Sequence, residues 1–140
     1  MTTDEQLMKT AVEAWGHSDN GPITAALDDD EVWISAASQW DERLRSGGIH
    51  KGRAQVIALL SKIATAFFPT ACVAKDIRSA GDVVWGIFQV TSGYAANGSA
   101  ALKSLTWEFA LRWRIKNGKV VDSQTFFDTA DMLRQQGHPC

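Results

Sequence analysis

The segment LTWEFALRWRIKNGKVVDSQTFFD, residues 105–128, decides the fold. Trp107, Phe109, Leu111, Trp113 and Ile115 alternate there with Glu108, Ala110, Arg112 and Arg114. A period of two puts all five apolar side chains on one face of a strand and leaves the other face largely wet. Asn117-Gly118 is the residue pair that a two-residue hairpin turn favours, because both tolerate positive φ. Residues 120–127 therefore return antiparallel, and alternation along them sets Gln124, Phe126 and Asp128 on one face. Residues 129–136 read as a short closing helix.

The preceding segments supply what this hairpin packs against. Thr3 and Gln6 give a capping-box signal, and Leu7, Met8, Ala11, Val12 and Trp15 then share one helical face. Residues 16–21 form a polar loop, and Pro22 suits the first turn of a second helix carrying Ile23, Ala26 and Leu27. Residues 31–37 (EVWISAA) read as a strand, and residues 38–48 as a long polar loop holding Trp40. Residues 52–68 space Val56, Ile57, Leu60, Ile63, Ala64 and Phe67 as a helix does, and Pro69 ends it. Residues 72–80 and 83–92 flank the turn pair Gly81-Asp82, and a loop rich in Gly, Ala, Ser and Asn follows. Helices first and an antiparallel meander after them predict an α+β fold. Its shape is a two-layer cone with N-terminal helices on a curved, mainly antiparallel sheet.

Composition narrows the function. The chain has 140 residues, enough for one domain spanning 1–140. Its 14 basic and 16 acidic residues give a net charge of -2, without the basic excess a nucleic-acid binder needs. The acidic start MTTDEQ lacks a signal-peptide pattern, and residues 54–74 are interrupted by Lys62 and Pro69, so no membrane span is expected. A cytoplasmic location follows as an expectation. Cys72 and Cys140 allow one bridge at most, and no Cys/His spacing points to a metal. Six tryptophans and six phenylalanines beside one tyrosine supply wall material for an apolar pocket, or simply core.

Several of these stretches resemble the SnoaL-like and ketosteroid-isomerase-related members of the nuclear-transport-factor-2-like (NTF2-like) superfamily. The matching pieces are Asp28-Asp29-Asp30-Glu31-Val32-Trp33, Lys51-Gly52-Arg53 and Gly81-Asp82-Val83-Val84. The strongest is RWRIKNGKVVDSQTFFDTADML, residues 112–133. The resemblance spans nearly the whole chain. It implies a small-molecule cavity between helices and sheet, and a homodimer formed through the outer sheet face. It does not fix the reaction, because isomerases, cyclases, hydrolases, dehydratases and non-catalytic modules share this fold. A steroid isomerase of this type needs an aspartate near the end of the first strand, a second aspartate later and a tyrosine on the first helix. Val32-Trp33-Ile34-Ser35-Ala36 has no acid, the second position falls at Ala110 or Leu111, and the first helix has no tyrosine. The Arg-x-Asp pattern of limonene-type epoxide hydrolases would fall near Gly86-Ile87-Phe88 and is absent, so only the strand-end Asp128 is matched.

The candidate residues follow. Asp128 is the acid–base candidate if it lies among Phe126, Phe127 and the tryptophans, where desolvation raises a carboxyl pKa; its other reading is N-cap of the last helix. His50 is a possible proton shuttle, or an exposed loop residue. Trp33, Trp85, Trp107, Phe109, Trp113 and Phe126 are expected as apolar lining or core, with Gln124 orienting a substrate oxygen. Residues 28–31 lack calcium-loop spacing and read as a solvated turn. The expected function is binding of a small apolar organic molecule. Any catalysis would be cofactor-free acid–base isomerisation, cyclisation, dehydration or hydrolysis. The alternative is a non-catalytic ligand-binding or dimeric interaction module.

Overall fold

Helix α1, Thr3–Trp15, begins where the Thr2 side chain accepts from the Glu5 amide and Glu5 returns the bond to the Thr2 amide. The capping box is thus one residue upstream of the pair expected from the sequence. The computed structural model describes residues 1–95 and 102–138, and residues 96–101, where a loop is expected, and Cys140 lie outside them. Met8, Ala11, Val12 and Trp15 form the buried stripe of α1, as their spacing predicts. Helix α2, Gly21–Ala26, carries its proline in the first turn. The other helices are α3, Arg53–Ala66, and α4, Thr129–Gln135.

Six strands form one sheet: β1 Leu27–Ile34, β2 Ile49–Lys51, β3 Phe67–Ala80, β4 Val83–Ala95, β5 Leu102–Lys116 and β6 Lys119–Phe127. Their order is β2-β1-β6-β5-β4-β3, with β1 parallel to β6 and every other pair antiparallel. The N-terminal helices pack on this curved sheet, so the α+β architecture expected from the sequence is the one observed. Among the boundaries that differ from expectation, two move residues into strands. Strand β1 starts at Leu27 and absorbs residues 28–31, which were expected in a turn. Strand β3 starts at Phe67, directly after α3, so Pro69 lies inside a strand. That strand is at the sheet edge, and a bulge follows the proline between Pro69 and Ala71, where a missing N–H costs least. The short strand β2 was not legible as a strand.

The β5–β6 hairpin closes as its Asn-Gly pair predicts, with Asn117 at φ 53 and Gly118 at φ 75 between the paired Lys116 and Lys119. Its second strand does not alternate regularly. A bulge lies between the pairs Arg114↔Asp122 and Ile115↔Val120, which gives β6 one extra residue. Val120 and Ser123 are therefore both buried, and beyond the bulge Ser123, Thr125 and Phe127 are level with Trp113, Leu111 and Phe109. One residue of slip exchanges the faces of every later side chain.

Where α1 passes over β3, a glycine is required by space. A Cβ on Gly16 would stand 1.9 Å from the Cβ of Cys72, which sits in the buried core. Burial pushes the Cys72 thiol up to about 12, with the Glu13 carboxylate adding to the effect.

Candidate functional site

The concave side of the sheet and the helices enclose a cavity of about 80 Å³. Trp33 of β1, Phe109 and Leu111 of β5, and Thr125 and Phe127 of β6 form its sheet side. Val12 and Trp15 of α1 and Leu59, Leu60 and Ile63 of α3 form the helical side. Leu44, Arg45 and Ser46, from the loop between β1 and β2, close one end with Met132 of α4. The wall is nearly all aliphatic and aromatic. Its polar members are Trp15, Ser35, Arg45, Ser46, Trp107 and Thr125, with no carboxylate among the described residues. Arg45 is already paired, its Nη1 lying 2.6 Å from Glu42 Oε1. Two wall residues hold buried polar atoms without a hydrogen-bond partner among the described residues, the Trp15 indole nitrogen and the Ser35 hydroxyl.

Three of the expected lining residues are in this wall: Trp33, Trp107 and Phe109. Trp113 is fully buried in the core beside it and does not line it. Trp85 and Phe126 stand on the opposite face of the sheet, 45% and 42% exposed, with ring centroids 6.0 Å apart in a stacked pair. Gln124 is half-buried on that outer face, level with Arg112, which is itself level with Trp85. Phe126 and Gln124 were misplaced because the β6 bulge changes the count. Trp85 was misplaced because Val84, Gly86 and Phe88 hold the inward positions of β4.

Asp128 is exposed, and its Oδ1 accepts from the Asp131 amide at 2.9 Å as the N-cap of α4. Of its two readings from the sequence, this is the capping one, and the carboxylate is outside the cavity wall. His50 pairs with Trp33 across the β1–β2 ladder, but its Nε2 is 2.9 Å from the Gly47 carbonyl and its ring lies against Trp40. It too is outside the wall. The two expected acid–base residues are not brought together.

The carboxyl that the sequence did not single out is Glu31. Its side chain is 0% exposed, and one oxygen accepts from Ser123 Oγ at 2.5 Å while the other is buried without a partner among the described residues. Burial pushes its pKa up to about 8; the Ser123 bond works against that shift, and the charges of Asp122 and Asp28 add to it. Glu31 and Trp33 share the inner face of β1, and Ser123 is level with Trp33, so this carboxyl lies one row beyond the cavity wall. Its signal was weak, since alternation back from Trp33 through an acidic run is the one hint that Glu31 faces inward. Among the described residues, no group of three or more His, Cys, Asp or Glu side chains is placed to hold a metal ion, and no helix is long and apolar enough to cross a membrane.

No family model and no curated protein matches the chain. Solved structures do. An NTF2-like protein of unknown function from Burkholderia pseudomallei superposes with a TM-score of 0.73 at 26% identity, over 96% of this chain and 98% of that one. A candidate SnoaL-like polyketide cyclase from Shewanella putrefaciens gives a TM-score of 0.78 at 13% identity, over 98% of both chains. The fold is NTF2-like. A Catenulispora acidiphila protein with a ketosteroid isomerase-like fold, solved with trimethylamine, matches this NTF2-like chain at 17% identity and a TM-score of 0.75, over 99% of this chain and 96% of that one. At such identities the likeness concerns the fold, and an NTF2-like chain's chemistry has to be argued from its own side chains.

Proposed function

We infer that this NTF2-like chain binds a compact, mainly apolar organic molecule in the cavity between its helices and sheet. The supporting observation is the wall itself. Apolar side chains from four helices and four strands converge on it, and the one charged wall residue is neutralised by its neighbour. At about 80 Å³ the space is roughly half the ~150 Å³ apolar cavity that admits benzene elsewhere, so one ring is the upper limit of what it takes. Calorimetric titration with benzene tests this reading, with Thr125→Phe placing a ring in the cavity. Saturable binding by the natural chain and its loss in a Thr125→Phe variant that melts normally are expected. No uptake of benzene, or uptake unaffected by the added ring, would sink the reading.

A second reading, cofactor-free acid–base catalysis, is favoured by Glu31, a fully buried carboxyl one row from the wall whose pKa burial pushes up to about 8. Asp128 and His50 take no part in either reading, since one caps α4 and the other binds the Gly47 carbonyl. We further infer that two copies pair through the outer sheet face, where the apolar side chains of Trp85, Ile87 and Phe126 are exposed.

A further inference from the structure

Helix α4 covers one end of the cavity with little to hold it there. Met132 is the buried side chain it contributes, and it joins Leu44, Phe67 and Leu105 in a small cluster separate from the main core. Met132, Leu44 and Phe67 also belong to the cavity wall. Seven residues are too few for a helix to persist by itself, so α4 depends on what docks it. Gln135 supplies a clamp to the sheet. Its Nε2 donates to the Thr106 carbonyl at 2.8 Å, and its Oε1 accepts from the Thr106 amide at 3.0 Å. Strand β5 pairs with β6 only from Phe109 onward, so at Thr106 this side-chain amide stands where a neighbouring strand would be. The next residue works the other way. Gln136 is 6% exposed, and both polar atoms of its side chain are buried without a partner among the described residues. Keeping that amide dry costs stability, and release of α4 returns it to water.

We propose that α4 is a hinged strap over the mouth of the cavity, released when Gln135 leaves Thr106 and Met132 withdraws, so that small molecules reach the wall. The hinge is Asp128, extended at φ -75 and ψ 97 between β6 and the helix. The loop at 38–48 forms the fixed side of the mouth. Its Trp40 ring lies 5.0 Å from the Lys62 ammonium on α3 and packs edge-on to His50, while Asp41 and Ser46 pair across the loop. Local opening of a weakly docked element needs far less free energy than unfolding the chain. The purpose of the opening rests on the cavity-binding reading above, whereas the opening itself needs no ligand.

The test reads access to the wall directly. Thr125→Cys places a thiol on the sheet side of the cavity, and Cys140→Ser leaves the buried Cys72 as an internal monitor of global unfolding. Labelling by methyl methanethiosulfonate, a small thiol reagent, is followed at each cysteine by peptide mass spectrometry, and thermal melting confirms that each variant folds. The thiol at 125 is expected to label faster than Cys72 and to respond weakly to low urea, because a local opening exposes little surface. Adding Gln135→Leu, which removes the clamp, should speed that labelling about tenfold, and Gln136→Leu, which replaces the dry amide, should slow it by a similar factor. Labelling at 125 that rises with urea as steeply as at Cys72, or that neither substitution moves, overturns the proposal. Faster labelling in Trp40→Ala but not in Gln135→Leu also overturns it and makes the loop the door. Failure of benzene to bind strikes the cavity-binding reading alone, since the labelling rates decide the strap without it.

Discussion

Glu31 has no water on its side chain, yet it sits in a sequence run of four acids that reads as surface. Its consequence for stability has a definite sign. The folded carboxyl is held at about 8 against an ordinary 4.5, so between those values the native chain keeps a proton that the unfolded chain releases. Stability from this group is fully present below about 4.5 and is lost as pH rises through 8. The loss is on the order of a few kcal/mol, at 1.36 kcal/mol per unit. Glu5 and Glu13 act oppositely. Ser79 and the Thr2 amide lower the first; bonds from Lys9 and the Ala74 amide lower the second against the opposing effect of burial, so their contribution is lost as pH falls below the ordinary value. Urea unfolding at a series of pH values should show declining stability from pH 5 to 8 in the natural chain. Glu31→Gln should flatten that decline, and an equal slope in the variant would place the proton elsewhere. Nothing in the residue-scale signals marked Glu31, because an acidic run is ordinarily hydrated and only its position on β1 turns one member inward.

At the scale of elements, strand β5 was legible because five apolar residues alternate without interruption, and the structure buries four of them and half-buries Trp107. Strand β6 was legible as a strand but not as a face. Its bulge adds a residue between Val120 and Ser123, and alternation counted from Val120 then assigns Gln124, Phe126 and Asp128 to the wrong side. No residue in Val121-Asp122 announces a bulge in the way a glycine would. The same end of the chain holds α4, which depends on Asp128 for its first turn. Asp128→Ala should cost about 1 kcal/mol and speed amide exchange in α4. Asp128→Asn should restore both, since an amide oxygen caps nearly as well. Benzene affinity should be the same in all three proteins. A large loss of binding in the alanine variant with α4 intact would return Asp128 to the site.

For the whole molecule, the two faces of one sheet divide the chemistry. The inner face carries the core and the cavity wall, while the outer face carries Trp85 stacked on Phe126, with Ile87 beside them. Ala110 is level with both Ile87 and Phe126, and its small side chain leaves room for the two rings to meet above β5. If that surface joins two copies, Trp85→Glu should convert a dimer to monomers in sedimentation equilibrium while the cavity still binds benzene. A natural chain that sediments as a monomer at high concentration would remove the pairing. The sequence by itself determined the element types, the β5–β6 hairpin and the two-layer architecture, because periodicity, capping and turn chemistry are local properties written in neighbouring residues. Only the tertiary structure decided which tryptophans reach the cavity, that Glu31 is buried, and that Trp15 and Ser35 are left with unsatisfied donors. Those outcomes depend on strand register and on which distant segment covers each side chain, and along β6 a single bulge reverses the faces without changing any local signal.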